Sequence, residues 1–373
     1  MAGIYLHIPF CKQACTYCDF HFSTLLKNKP EFIKALCKEI EVRKDYLETN
    51  SIHSIYFGGG TPSILSQEEL QSIFDTLKKY FTWDKQIEIT LECNPDDLSK
   101  EKLKELKEAG VNRLSVGLQS FYDDELKWMN RAHTAKESET CIKAAQEAGF
   151  NNITIDLIYG SKFQTIESWK QTLQKAIDLN VQHISSYNLT VEKKTKLGID
   201  VLKGKEKEVD DEKSAEQFLM MIEVLEKNGF IHYEISNFAK PGYIAVHNSN
   251  YWKGETYLGL GPSAHSFNGK KRQWNVANNN TYIKALSEGE TYFELENLSP
   301  QNRYNEYVLT GLRTIWGCDI AYIQNNLGAE YVKHFVDEIE KQNTSLYEKE
   351  NTVYRLTKKG RLLADKIAMD LFA

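Results

Sequence analysis

Short runs of apolar, β-branched residues alternate along this chain with longer stretches whose apolar residues recur every three or four positions. The short runs predict strands at residues 4–8, 54–57, 87–92, 113–118, 153–158 and 183–189. Helical periodicity fills residues 30–47, 67–80, 100–109, 136–148 and 166–179. Six strand–helix alternations imply an α/β domain with a parallel sheet and right-handed crossovers. Six units are too few for a closed eight-fold barrel. They suit an open, curved (β/α)6 part-barrel of TIM-like type, with a doubly wound sheet as the alternative from pattern alone. Helix punctuation agrees: Gly110 and Gly149 follow helices, Pro30 sits in a first turn, and Ser66 with Glu69 fits a capping box. Cys37 (with Ile33, Ile40 and Leu47) and Cys141 (with Ala144, Ala145 and Ala148) lie on apolar helical stripes, where cysteine behaves as a small hydrophobe.

After Leu189 the rhythm changes. A helix at 212–228 precedes the run 230–238, and loop-rich sequence is expected to about residue 280. Helices follow from residue 299, at 320–326 and at 330–341. A hairpin is expected at 345–356 with residues 348–351 at its tip, then a last helix at 359–371. The reading divides the chain into a part-barrel at 1–235, a connecting region at 236–298, and a small C-terminal α+β domain of helical, winged character at 299–373.

Composition narrows the classes. With 373 residues and 41% hydrophobic content the chain can bury a sizeable core. No apolar run approaches membrane-spanning length, and no secretory signal pattern stands at the N-terminus. Seven cysteines, an odd count, suit a reducing cytoplasm without a disulfide framework. A net charge of −6 offers no field for nucleic acid.

The chemistry concentrates near the N-terminus, in His7-Ile-Pro-Phe-Cys-Lys-Gln-Ala-Cys-Thr-Tyr-Cys-Asp-Phe20. Cys11, Cys15 and Cys18 can hold three corners of a [4Fe-4S] cluster, leaving the fourth iron free to bind something. The spacing also allows a zinc site with His21 as fourth ligand, or three unrelated buried cysteines. Zinc ligands usually come as two separated pairs, however, and no partner pair follows.

In parallel βα folds, ligands bind beyond the carboxyl ends of the strands. Strand one runs into the cysteines, strand two into Gly58-Gly59-Gly60-Thr61-Pro62, and strand three ends at Glu92. Strand four leads to Gln119, and strand five carries Asp156. All five fall on one rim. Taken singly, the glycines could be a plain loop, Glu92 a helix cap, and Gln119 and Asp156 satisfied core polar groups.

The cysteine run with Tyr17 before its last cysteine, followed by Gly-Gly-Gly-Thr-Pro, resembles radical S-adenosylmethionine (SAM) proteins. Tyr5-Leu-His-Ile-Pro-Phe-Cys11, Arg113-Leu-Ser-Val-Gly-Leu-Gln-Ser-Phe121, Asn130-Arg131, Asp156-Leu-Ile-Tyr-Gly160 and Leu356-Thr-Lys-Lys-Gly-Arg-Leu-Leu363 resemble the oxygen-independent coproporphyrinogen III oxidase group. The resemblance implies a radical SAM part-barrel with Cys11, Cys15 and Cys18 on the cluster and SAM on the open iron. It implies SAM contacts at Tyr5, Gly59, Gly60, Thr61, Glu92, Gln119, Arg131 and Asp156. Glu92 can meet the amino group, Arg131 and Gln119 the carboxylate or ribose, and Asp156 the hydroxyls.

Two features separate branches of that group. The porphyrinogen-oxidising enzymes carry a fourth cysteine two residues after the third; Phe20 stands there. His247-Asn-Ser-Asn-Tyr-Trp252 resembles the His-Asn-x-x-Tyr-Trp signature of a heme-chaperone branch. That branch implies heme binding through His247, with Tyr251 a weaker candidate. It also implies delivery to apo-proteins such as membrane-associated respiratory enzymes. Oxidative decarboxylation of coproporphyrinogen III is the alternative, and the sequence decides neither catalysis nor homodimerisation. His265, in Gly261-Pro-Ser-Ala-His265, is a further polar candidate without a role.

Overall fold

The computed structural model describes residues 2–373. Strands β1 (Ala2–Ile8), β2 (Ser54–Gly59), β3 (Glu88–Cys93), β4 (Arg113–Gln119), β5 (Ile153–Tyr159) and β6 (His183–Asn188) lie side by side, parallel and in chain order. A doubly wound sheet reverses its order around an early strand; this one does not, so the architecture is the part-barrel. Helices Lys29–Val42, Gln67–Tyr80, Lys100–Ala109, Ala135–Glu147 and Ile166–Asp178 form the crossovers. Ser66 and Glu69 close the expected capping box, and Gly110 ends its helix at φ +102°. The first helix stops at Val42, short of the expected end. Leu47 is buried from the turns beyond it, not from the helical stripe.

Strand alternation explains the layering. Outward residues such as Ile4, Leu6, Ile55, Phe57, Leu91, Val116 and Ile155 are fully buried beneath the helices, in one continuous core. The other face of the same strands is polar. The registers set Tyr5 beside Tyr56, Thr90 and Arg113, and Gly117 beside Asp156 and Ser185. This face lines the interior of the part-barrel.

The stretch expected to be loop-rich is largely ordered. β7 (Ile231–Glu234) and β8 (Asn237–Ala239) form a hairpin that joins β6 antiparallel. After a short helix at Val246–Trp252, β9 (Thr256–Leu260) pairs parallel with the free side of β1. β10 (His265–Phe267), β11 (Lys271–Asn275) and β12 (Phe293–Asn297) then extend a twelve-stranded sheet. These strands are three to five residues long and carry Lys271, Arg272, Glu294 and Glu296, so they lack the apolar runs that betray a strand.

The outer face of this extension is fastened to helix Lys29–Val42 by a buried carboxylate. Glu39 accepts from the backbone N–H of Gly261 (2.6 Å), Asn275 Nδ2 (2.7 Å) and Tyr282 Oη (2.6 Å). Beside it, Arg43 donates to Gln273 (3.0 Å).

A second core holds the C-terminal part: Tyr304, Val308 and Leu312 pack on Ile323, Phe335, Ile339 and Ile367. Its three-stranded sheet combines β13 (Cys318–Asp319), β14 (Tyr347–Glu350) and β15 (Val353–Leu356). The hairpin turns at Asn351, at φ +55°, beyond most of the expected tip. The last helix is broken into Lys358–Arg361 and Ala364–Asp370.

Replacing Glu39 with Ala strands three buried donors at once. We expect a loss of roughly 3 kcal/mol or more, read as a lowered urea midpoint. An unchanged midpoint would contradict this account of the sheet extension.

Candidate functional site

The cysteine loop follows β1 and is held from several sides. Cys11 N donates to Ser23 O (3.0 Å), Thr61 N to Phe10 O (2.7 Å), Thr16 N to Met129 O (3.1 Å), and Asn130 Nδ2 to Ala14 O (2.7 Å). The end of β2 must pass very close to this loop. A Cβ at Gly60 would lie 2.6–2.8 Å from the backbone of Ile8 and Phe10, so only glycine fits. Gly59, at φ +99°, turns its N–H onto Glu92 (3.1 Å).

Cys11, Cys15 and Cys18 open onto a cavity of about 450 Å³ at the carboxyl ends of the strands. Gly59, Gly60, Thr61, Glu92, Gln119, Arg131 and Asp156 line the same cavity, so the structure gathers ten of the eleven residues assigned to cluster and SAM. Tyr5 is the exception. It lies deeper, its hydroxyl on His7 Nδ1 (3.1 Å) and its ring near Tyr56. Sequence reasoning missed Asn94, Ser115, Tyr187, Thr190 and Glu192 on the wall. The end of β6 was a rim position like the other five, and applying the same rule there would have found Tyr187.

The sulfurs sit among donors. Thr61 Oγ1 donates to Cys11 Sγ (3.3 Å) and Arg131 Nη1 to Cys15 Sγ (3.3 Å). Arg131 Nη2 reaches Asn94 Oδ1 (2.7 Å) and Gly117 O (2.8 Å), while its buried Nε has no protein partner. Burial raises the Cys11 thiol and pushes Cys18 up to about 11. Thiols raised in this way become thiolates only against a compensating cation. Among the described residues no three His, Cys, Asp or Glu side chains stand where one metal ion could hold them. His21, the fourth ligand of the zinc alternative, bonds Asn279 instead (2.7 Å). Three cysteines bordering a donor-lined cavity suit a cluster with an open iron. The unpaired Arg131 Nε and the glycine cradle suit an anionic ligand beside it.

Below the sulfurs, Glu92 accepts from Tyr56 Oη (2.7 Å) and Gly59 N. Burial pushes its carboxyl up to about 7, with Asp156 adding to the rise and the two hydrogen bonds opposing it. Ser115 approaches both Asp156 oxygens (3.4 Å). Gln119 adopts φ +66° where the β4–β5 register slips, a non-glycine conformation that turns its side chain into the cavity wall.

His247 and Tyr251 lie away from the cavity and bond to each other. Helix Val246–Trp252 closes the floor of the part-barrel at the opposite ends of the strands. The N–H groups of Val246 and His247 both donate to the Glu88 carboxylate (2.9 Å each). The His247 ring is buried, stacks on Tyr56 (5.1 Å), and has both nitrogens engaged, by Ser54 Oγ and Tyr251 Oη (2.9 Å each). Burial pushes it down to about 3. No nitrogen is left for iron in this arrangement. His265, by contrast, is exposed on β10 and stacks on Trp274 (6.2 Å).

A parallel part-barrel with three cysteines and polar strand ends at its mouth defines the radical SAM class, and the Radical SAM superfamily pattern matches residues 5–176. The chain is 35% identical to the heme chaperone HemW of Bacillus subtilis over 98% of both chains, and 33% identical to that of Lactococcus lactis over 97% and 95%. Among solved structures it is similar to the Escherichia coli coproporphyrinogen III oxidase HemN. That match has a TM-score of 0.85 at 23% identity and covers 100% and 90% of the two chains; it carries the fold alone. The chain belongs to the HemW heme-chaperone family of radical SAM proteins.

Glu92 yields a pH prediction. Its folded value, about 7, exceeds the ordinary 4.5, so folding takes up a proton between those values and stability falls as pH rises through that window. In cofactor-free protein, Glu92→Gln should flatten the decline in urea midpoint between about pH 5 and about pH 8. A parallel decline in the variant would refute the assignment. Removing the His247 ring leaves two buried hydroxyls unpaired and a void beneath Tyr56. His247→Ala is expected to cost about 3 kcal/mol in the same assay.

Proposed function

We propose that this protein is a heme carrier that binds heme and passes it to acceptor apo-proteins, such as respiratory enzymes, while holding a [4Fe-4S] cluster and exchangeable SAM. The observation that carries the reading is kinship to heme chaperones over almost the whole chain, C-terminal part included. Cys11, Cys15 and Cys18 hold the cluster in this reading, which supplies one-electron chemistry when SAM is on its open iron. The chain's own groups do the rest. Thr61 and Arg131 donate to two of the sulfurs. Glu92 meets the amino group of SAM, Arg131 and Gln119 its carboxylate or ribose, and Asp156 its hydroxyls. Tyr56 holds the Glu92 carboxylate in place from below.

Phe20 distinguishes a carrier from an oxidase. It stands where the porphyrinogen-oxidising group resembled above carries a fourth cysteine, and it is 72% exposed at the cavity mouth. An exposed aromatic ring there favours contact with a flat apolar ligand and contributes no thiol. No helix among the described residues is long and apolar enough to cross a membrane. In this reading the carrier works in the cytoplasm and meets membrane-associated acceptors from outside the bilayer.

Anaerobic reconstitution of the full chain with iron and sulfide tests the cluster. About four irons and four sulfides per chain are expected, falling sharply when Cys11, Cys15 or Cys18 becomes Ala. Hemin titration should saturate at one site with a defined Soret band, and coproporphyrinogen III with SAM and reductant should yield no decarboxylated product. Zinc without acid-labile sulfide overturns the cluster; decarboxylation overturns the carrier.

A further inference from the structure

Seven of the nine histidines have a ring nitrogen committed to a hydrogen bond: His7, His21, His133, His183, His232, His247 and His334. His53 and His265 do not. His53 sits in an exposed turn before β2 with no aromatic neighbour. His265 stands in a built setting.

The registers put His265 opposite Trp274, and Phe267 opposite both Arg272 and Tyr257. These side chains share one face, and that face continues the lumen, because Tyr257 pairs with Gly3 beside the His247 ring. The reverse face of the same strands is buried. It holds Gln273 and Asn275 against Arg43 and Glu39, and Glu39 also fixes the N–H of Gly261. The corner from Gly261 to His265 is thus clamped from behind by a buried carboxylate, with Ser263 forced to φ +65°. Next to the corner is His7, at the mouth: a Cβ at Gly261 would stand 2.4 Å from its carbonyl oxygen. A buried charge with three donors is a costly way to position an exposed side chain that bonds to nothing in the protein.

We propose that His265 is the axial ligand through which this protein holds heme iron, with the indole of Trp274 as the adjoining wall of the porphyrin site. The proposal rests on the heme-carrier reading and names its ligand. A heme ligand must be neutral, accessible and held in orientation. Burial and the nearby Arg272 both lower the His265 pKa, keeping the ring neutral at neutral pH. Exposure gives access, and the stacked indole gives orientation as well as an apolar surface for the macrocycle.

Hemin titration of the full chain, followed by absorption spectroscopy, tests this. In His265→Ala the affinity should fall at least about tenfold and the Soret maximum should shift, with free imidazole restoring the wild-type spectrum. Its thermal midpoint and cluster content should match wild type, and His53→Ala should titrate as wild type. Wild-type affinity and Soret band in His265→Ala overturn the proposal while leaving the carrier reading intact. So does a spectrum altered in His247→Ala and not in His265→Ala. A wild-type chain that gives no Soret shift with hemin overturns both.

Discussion

Charge buried on the inner face of six strands must be matched by partners, and the rest of the site depends on that matching. Ordinary parallel strands are apolar on both faces. Here Glu88, Glu92, Arg113, Asp156 and His183 all point inward. An unmatched charge in such a place costs several kcal/mol. Each has an answer. Glu88 receives two N–H groups from the start of the floor helix and stands 3.9 Å from Arg113. Arg113 also reaches the hydroxyls of Thr90 and Thr154. Tyr56 and Gly59 hold Glu92, and Tyr233 holds His183. The floor charges are thereby answered by neighbouring protein groups, although Arg113 Nε and His183 Nδ1 are left without a hydrogen-bond partner. Toward the mouth the matching is incomplete: Arg131 keeps a buried N–H without a partner, and Ser115 reaches the Asp156 carboxylate only at 3.4 Å. At the mouth that unspent polar capacity borders the cavity, where a ligand can use it.

Much of this was legible in the sequence, for identifiable reasons. The six core strands announce themselves through β-branched runs, and the rule that ligands sit at carboxyl ends gathers cysteines, glycines and acids on one rim. What was not legible depends on contacts distant in sequence. The strands from Thr256 to Asn297 are short and charged, and they are strands because β1 offers an edge and Glu39 a buried anchor. The left-handed Gln119 follows from a register slip between β4 and β5, which no local pattern records. His247 looked like a ligand because a histidine beside aromatic residues suits heme. Only the three-dimensional arrangement shows Ser54, from a strand nearly two hundred residues earlier, bonded to its second nitrogen.

Likeness of fold to a coproporphyrinogen III oxidase and kinship to heme chaperones are compatible because both span one scaffold whose individual surface positions are free to differ. The barrel, its cysteine loop and the clamp on Arg131 are the machinery of a class. Phe20 at the mouth and the open face of β10 and β11 are surface features that scaffold does not dictate. Function on a shared fold is decided at such positions.

β1 is flanked on one side by β2 and on the other by β9, whose residues come about two hundred and fifty positions later. The strand that leads into the cysteine loop therefore keeps one row of backbone groups unpaired while most of the chain is being made. The floor helix, just before β9, is equally late. Closing so long a loop is entropically expensive and kinetically slow. Pairing along the second edge of β1 is consequently a late product of folding. During synthesis the thiols and the residues that line their pocket, up to Glu192, are made well before the strand that covers the far edge of β1.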